Sequence, residues 1–174
     1  MRLAPVTIFS LATVATASAA DGASDLEGRY VLADPERAEA TIDDAIDSVV
    51  GELFFLARPF ARSKLKAATD PCPKLEIDLE PETVSIGCPR DEDRFVSPAD
   101  GARVEMTFEG ETLTLAQEVQ GDVIRQRMDG EDGVRINRYR LEGDRETLRM
   151  EIELKSPRLP RPVRYAIRYE KVDG

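Results

Sequence analysis

The side chains that could do chemistry in this chain are few, and none forms a catalytic set. Histidine is absent, which removes the commonest general base and metal ligand. No Gly-x-Ser-x-Gly elbow, phosphate-binding loop or dinucleotide fingerprint occurs. Carboxylates alone can cleave glycosides, but only as a defined pair across a sugar cleft, and the acids here are dispersed. Glu39, Asp43 and Asp47 fall on one helix face at i, i+4 and i+8, where they either attract a divalent cation or simply face water. Asp129-Gly130-Glu131-Asp132-Gly133 has the composition of a calcium loop without its spacing or bidentate Glu, and reads as a hairpin tip. No catalytic residue, metal or cofactor is expected. Binding is the chemistry that remains.

Cys72 and Cys88 are the only cysteines. They flank the Glu80-Pro81-Glu82 turn, at the open end of a hairpin, within disulfide reach. Two free thiols or a metal pair are the alternatives, and two thiolates alone make a poor zinc site.

The elements that would position a binding site follow from hydrophobic periodicity. Segments 26–32, 74–79, 83–88, 93–96, 103–108, 112–119, 122–128, 134–141, 147–155 and 163–171 read as strands, and those at 103–108, 112–119, 147–155 and 163–171 alternate apolar and polar residues, the pattern of half-buried antiparallel strands. Between the first two lies a helical insert. Asp34 is its N-cap and Pro35 its first residue. Ile42, Ile46, Val49, Leu53 and Leu56 recur at helical spacing. Pro59 ends this helix near Arg58, and Phe60–Ala68 forms a second, basic one. Ten meandering strands would leave two long unpaired edges unless the sheet closed on itself. The expected fold is therefore mainly β: a ten-stranded antiparallel up-and-down barrel with a two-helix lid between strands one and two.

Turn lengths set an expected register. A five-residue loop at 129–133 pairs Met128 with Val134 and Ile124 with Arg138, and the next turn sets Arg138 opposite Met150. Arg138 then points inward, near Gln117 and Gln126. A buried guanidinium needs an anionic or strongly polar partner. It would anchor the acidic end of an amphipathic ligand, with Gln117, Gln126, Tyr165, Ile167, Tyr169 and Met150 lining the site. In the competing reading the strand bulges near Asn137, Tyr139 turns inward and Arg138 reaches solvent. On the lid, Phe54, Phe55 and Phe60 beside Arg58 and Arg62 would either touch an anionic membrane surface or turn the aromatics into the barrel.

Residues 1–20 have a secretory layout: Arg2, a short apolar stretch from Val6 to Val14, and a small-residue cleavage region ending Ala17-Ser18-Ala19-Ala20. The apolar part is too short to span a bilayer. The expectation is export to the periplasm or beyond, with residues 21–174 as one domain. A formal charge of −10 argues against nucleic acid as a partner.

Gly28-Arg29-Tyr30, the helical insert at 35–68 and Tyr169-Glu170-Lys171-Val172 together resemble the fatty-acid-binding proteins of the calycin superfamily. That family has a Gly-x-aromatic first strand, a two-helix lid, nine further strands and an ending near Tyr-Glu-Lys. The resemblance implies a barrel holding a fatty acid. It does not carry over the family's inward Arg two residues before the Tyr, because Ile167 stands there. Ser156-Pro157-Arg158-Leu159-Pro160-Arg161-Pro162 is similar to a segment of exported bacterial proteins without a known role. The expected function is an exported binder or carrier of a small hydrophobic or amphipathic ligand. The alternative is a non-enzymatic envelope interaction or structural protein whose barrel is filled by its own side chains. A cavity above about 300 Å³ would favour the carrier.

Overall fold

A computed structural model describes residues 24–89, 94–108 and 110–172; the proposed leader at 1–20 lies outside them. A 3-10 turn at Ser24–Leu26 precedes β1 (Gly28–Leu32), α1 (Pro35–Val50) and α2 (Arg58–Thr69). Nine strands follow: β2 (Lys74–Leu79), β3 (Thr83–Gly87), β4 (Phe95–Pro98), β5 (Val104–Phe108), β6 (Glu111–Gln120), β7 (Val123–Gly130), β8 (Gly133–Leu141), β9 (Thr147–Lys155) and β10 (Val163–Val172). All ten form one antiparallel sheet in the order β4-β3-β2-β1-β10-β9-β8-β7-β6-β5.

The sheet curls into a nearly closed barrel. Its two ends meet below β4, where Asp100 bridges to Glu118. There Gly101 donates its N–H to Gln117 O at 2.9 Å, and Val119 donates to Ala99 O at 2.9 Å. β5 pairs with β6 and stands off from β4, and the Phe95 and Phe108 rings, 5.1 Å apart, pack across that gap. The inward faces and α1 form one core that includes Tyr30, Ile77, Val84, Ile86, Ile124, Leu148, Val163 and Tyr169.

The lid begins as the sequence requires. The Asp34 carboxylate accepts from Arg37 N at 2.9 Å, and α1 buries Ala38, Ile42, Ile46, Val49 and Val50 against the barrel mouth. It ends earlier than the periodicity predicts. Beyond Gly51 the chain tightens into i→i−3 bonds, Glu52 N to Val49 O and Leu53 N to Val50 O. Leu56 is exposed rather than on a buried helix face. Pro59 does not stop the first helix; it opens the second, where its missing N–H costs nothing.

Register differs from expectation in an instructive way. The turn residues predict Met106 opposite Leu115 and Gln117 opposite Ile124; β5–β6 and β6–β7 instead pair Met106 with Leu113 and Gln117 with Gln126, two residues away. A two-residue shift leaves every side chain on its expected face. The β7–β8 turn instead pairs Gly130 with Gly133, a two-residue loop in place of five. That odd shift inverts β8: Ile124 now faces Tyr139 and Arg125 faces Arg138. β9 follows, with Tyr139 opposite Met150. Glycine at 133 is demanded by the turn, since a Cβ there would sit 2.1 Å from Lys155 O at φ +154°. The inversion places Arg138 and Arg140 in water and brings Asn137 and Tyr139 inside, avoiding unpaired buried charge.

Cys72 and Cys88 are disulfide-bonded, Cα atoms 5.9 Å apart at a sequence separation of 16. Closing a loop of that length stabilises a fold by about 3 kcal/mol in the chain-entropy model. Replacing both cysteines by serine should therefore lower the free energy of unfolding by about 2–4 kcal/mol in urea titration. An unchanged midpoint would contradict the assignment.

Candidate ligand site in the barrel interior

A row of polar side chains runs through the otherwise apolar interior, and each comes from an inward position of successive strands. Gln117 on β6, fully buried, places its Nε2 2.8 Å from Val84 O, 3.1 Å from Phe95 O and 3.2 Å from Ser97 Oγ. Gln126 on β7 donates its Nε2 to Gln117 Oε1 at 3.0 Å. Its own Oε1 accepts from Asn137 Nδ2 at 2.8 Å and from the Tyr139 hydroxyl at 3.0 Å, both on β8. Arg135, two residues before Asn137 and on the same face, donates Nε to Asn137 Oδ1 at 3.0 Å and Nη1 to Ala68 O at 2.9 Å. The row therefore runs from the β3–β4 backbone, across the lumen, to the carboxyl end of α2. Among the described residues no buried side-chain N or O lacks a partner.

Gln117, Gln126, Met150, Tyr165, Ile167 and Tyr169, expected from sequence to line the site, are all buried in this interior. Arg138 is not with them. It faces outward, as the competing reading held, and the cause is the short β7–β8 turn rather than a bulge. The inward cation is Arg135, which sequence reasoning missed. The parity of that turn was the missing signal, since it exchanges Arg138 for Arg135. Arg135 is partly buried, and among the described residues it has no carboxylate partner.

The tyrosines record how dry this interior is. Burial pushes Tyr30 and Tyr139 up to about 12 and raises Tyr165 and Tyr169 as well. The nearby Arg135 charge offsets part of the rise for Tyr139, Tyr165 and Tyr169. Leu115, Gln117, Ile124 and Leu148 have no surface that water can reach. Recesses of about 340 and 330 Å³ lie instead on the outer surface, over β8–β10 and beside β1. Around Leu115, Gln117, Ile124 and Leu148 the interior is packed by its own side chains.

The lid is latched over this interior by ion pairs. Arg62 meets Asp47 at 2.7 Å and Lys66 meets Asp43 at 2.9 Å, joining α2 to α1. Asp132, at the β7–β8 tip, takes Lys64 of α2 at 3.2 Å and Arg158 of the β9–β10 loop at 2.8 Å. Those cations hold its carboxyl below the usual range, the Lys64 hydrogen bond contributing most. Asp43 and Asp47 thereby tie the two helices together, and among the described residues no acidic cluster suited to a metal occurs. Phe54, Phe55, Leu56 and Phe60 are 62–70% exposed at the tip of the lid, so the aromatics do not enter the barrel.

The architecture has counterparts among solved structures. The REP1-NXSQ fatty acid transporter aligns with a TM-score of 0.56 at 17% identity, over 87% of this chain and 99% of that one. The fold is that of the fatty-acid-binding proteins. Lipid binding protein 8 of Caenorhabditis elegans matches at 0.55 and 14% identity, over 86% and 96% of the two chains. Secretory abundant heat soluble protein 4 of Ramazzottius varieornatus matches at 0.51 and 16%, over 86% and 96%. No family model and no curated protein sequence matches. These structures lend no support to the bacterial likeness of residues 156–162, which here form the β9–β10 loop.

Gln126→Leu should cost about 3 kcal/mol, because it leaves Gln117 Oε1 without its donor and takes one acceptor each from Asn137 Nδ2 and the Tyr139 hydroxyl. The triple change Gln117→Leu, Gln126→Leu, Asn137→Leu should cost less than the sum of its single changes, as read by chemical denaturation; strict additivity would contradict a connected row. The tyrosine ionisations, raised in the folded state, make stability complete below the unfolded value near 10 and lost as pH rises through the folded values. Tyrosinate absorbance should thus stay flat through pH 10 and appear together with unfolding as pH approaches 12. A tyrosine titrating near 10 in the folded protein would contradict this burial.

Proposed function

We propose that the chain is an exported, non-enzymatic binder of a small amphipathic molecule with an apolar tail and an anionic or strongly polar head. One observation carries this reading: Arg135, an inward cation without a carboxylate partner, stands at the lid end of an otherwise apolar, hydrogen-bonded interior. A head group that takes the Arg135 guanidinium bidentately replaces Ala68 O as its partner. The tail then occupies space now held by Met150, Ile167 and their neighbours. Because these inward side chains are packed out of reach of water, entry requires the lid to loosen and side chains to give way, so binding is by displacement. The fatty acid transporter and lipid binding protein among the structural counterparts support a lipid-like ligand. The leader-like residues 1–20 and the disulfide support export.

At the lid tip, Phe54, Phe55 and Phe60 are free to meet a membrane surface during loading. Attraction to anionic lipid rests chiefly on Arg58, since Arg62, Lys64 and Lys66 are engaged by acids. A second reading has its own support in the buried, fully partnered polar row: an envelope interaction or structural protein whose barrel holds nothing but its own side chains.

Titration with a fluorescent anionic dye such as anilinonaphthalene sulfonate separates the two. Arg135→Ala should weaken binding about tenfold, the cost of one charge-assisted contact, and Arg138→Ala should leave it unchanged. Mass spectrometry of protein recovered from cells should show a co-extracted amphiphile. No dye binding and no co-extracted amphiphile would establish the filled-barrel reading instead.

A further inference from the structure

The two lid helices are held by different forces. α1 buries Ala38, Ile42, Ile46, Val49 and Val50. Its carboxyl end is pinned by Arg161, which donates Nη2 to Ser48 O at 2.9 Å and pairs with Glu52 at 2.6 Å. α2 buries only Thr69, and its Ala61 and Leu65 touch the core while half-buried. Burial of an apolar face is what ordinarily docks a helix, and α2 has little of it.

Charge holds α2 instead. From Arg58 to Thr69 it carries four cations and no acid. Arg58 stands at its amino end, where the helix dipole disfavours a cation, and no side chain caps that end. Three of the cations pair with acids of other elements: Arg62 with Asp47 and Lys66 with Asp43 on α1, and Lys64 with Asp132 at the β7–β8 tip. Asp132 also takes Arg158, so one carboxylate clasps α2, the tip and the β9–β10 loop. The six side chains of the three pairs are 38–54% exposed. Pairs as exposed as these are individually weak and are screened by salt.

We propose that α2 is a salt-released gate: rising ionic strength frees it from α1 and from the β7–β8 tip, while α1 stays docked. It moves between Gly51 and the Cys72–Cys88 bond, which keeps its exit tied to the end of β3. Lifting α2 also takes Ala68 O from Arg135 and frees that guanidinium. Control of entry to the interior rests on the reading of the barrel as a ligand site; the motion of α2 itself does not.

Hydrogen–deuterium exchange of the full chain at one pH, in about 10 mM and about 1 M sodium chloride, tests the gate, because the screening length falls from about 30 Å to about 3 Å. Peptides from α2 should exchange at least about fivefold faster at high salt, and those from α1 and β10 should change less than about twofold. At low salt Asp132→Asn should speed α2 exchange by roughly threefold to tenfold. Asp122→Asn, which removes the same charge at the β6–β7 turn, should leave it unchanged. Asp43→Lys should release α2 as well, and adding Lys66→Asp should restore slow exchange. Exchange of α2 that ignores salt, equal acceleration of α1, or Asp132→Asn matching Asp122→Asn would each overturn the gate. The salt comparison uses the unaltered chain, so it decides even where a variant fails to fold. At low salt, stopped-flow association of anilinonaphthalene sulfonate should be faster in Asp132→Asn than in Asp122→Asn. A dye that never binds while α2 stays salt-responsive removes the ligand site and upholds the gate.

Discussion

The structure turns on Gln117. Its backbone helps join the two ends of the sheet through Gly101, and its side chain spans the lumen to the β3–β4 backbone. A glutamine amide buried in apolar surroundings must find partners or forfeit a few kcal/mol. Those partners are Val84, Phe95 and Ser97 on one side and Gln126 on the other. Meeting them ties β6 to β3, β4 and β7 across the interior.

From that row the charge distribution follows. Gln126, Asn137 and Tyr139 satisfy one another, and the row ends on Arg135, whose second partner is a carbonyl of the lid. The lid's position and the state of the interior are thereby connected through a single guanidinium. Every other β8 arginine is turned to water by the same register. The outer sheet becomes a basic surface on an acidic protein, and the lid is held by pairs such as Arg62–Asp47 and Lys66–Asp43. The exposed aromatic tip at 54–60 is what these constraints leave uncovered.

Much of this was legible in the residues. Period-two alternation marked the strands, Asp34-Pro35 marked the start of α1, and the spacing around Glu80-Pro81-Glu82 brought Cys72 to Cys88. Gln117, Gln126, Tyr165 and Tyr169 were placed inside correctly, because even errors in turn length preserve the face of a strand. Turn counting alone points Arg138 inward, because the tight turn at 131–132 and a five-residue loop differ by an odd count at the pairing. The competing reading, with Tyr139 inside and Arg138 in water, is the one the register bears out. Nothing in local propensity weighs those alternatives; the cost of burying Arg138 and Arg140 decides. The break after Val50 was likewise hidden, since Leu53 and Leu56 continue the helical period without any core left to receive them.

The most direct measurement is a proton–nitrogen spectrum of the arginine side chains during titration with dodecanoate. The Arg135 Nε–Hε signal should move as the carboxylate displaces Ala68 O, while amides of α2 exchange faster and the Arg138 signal stays in place. Dodecanoate binding that leaves Arg135 unmoved, or that moves Arg138 in its stead, would contradict the interior site described here.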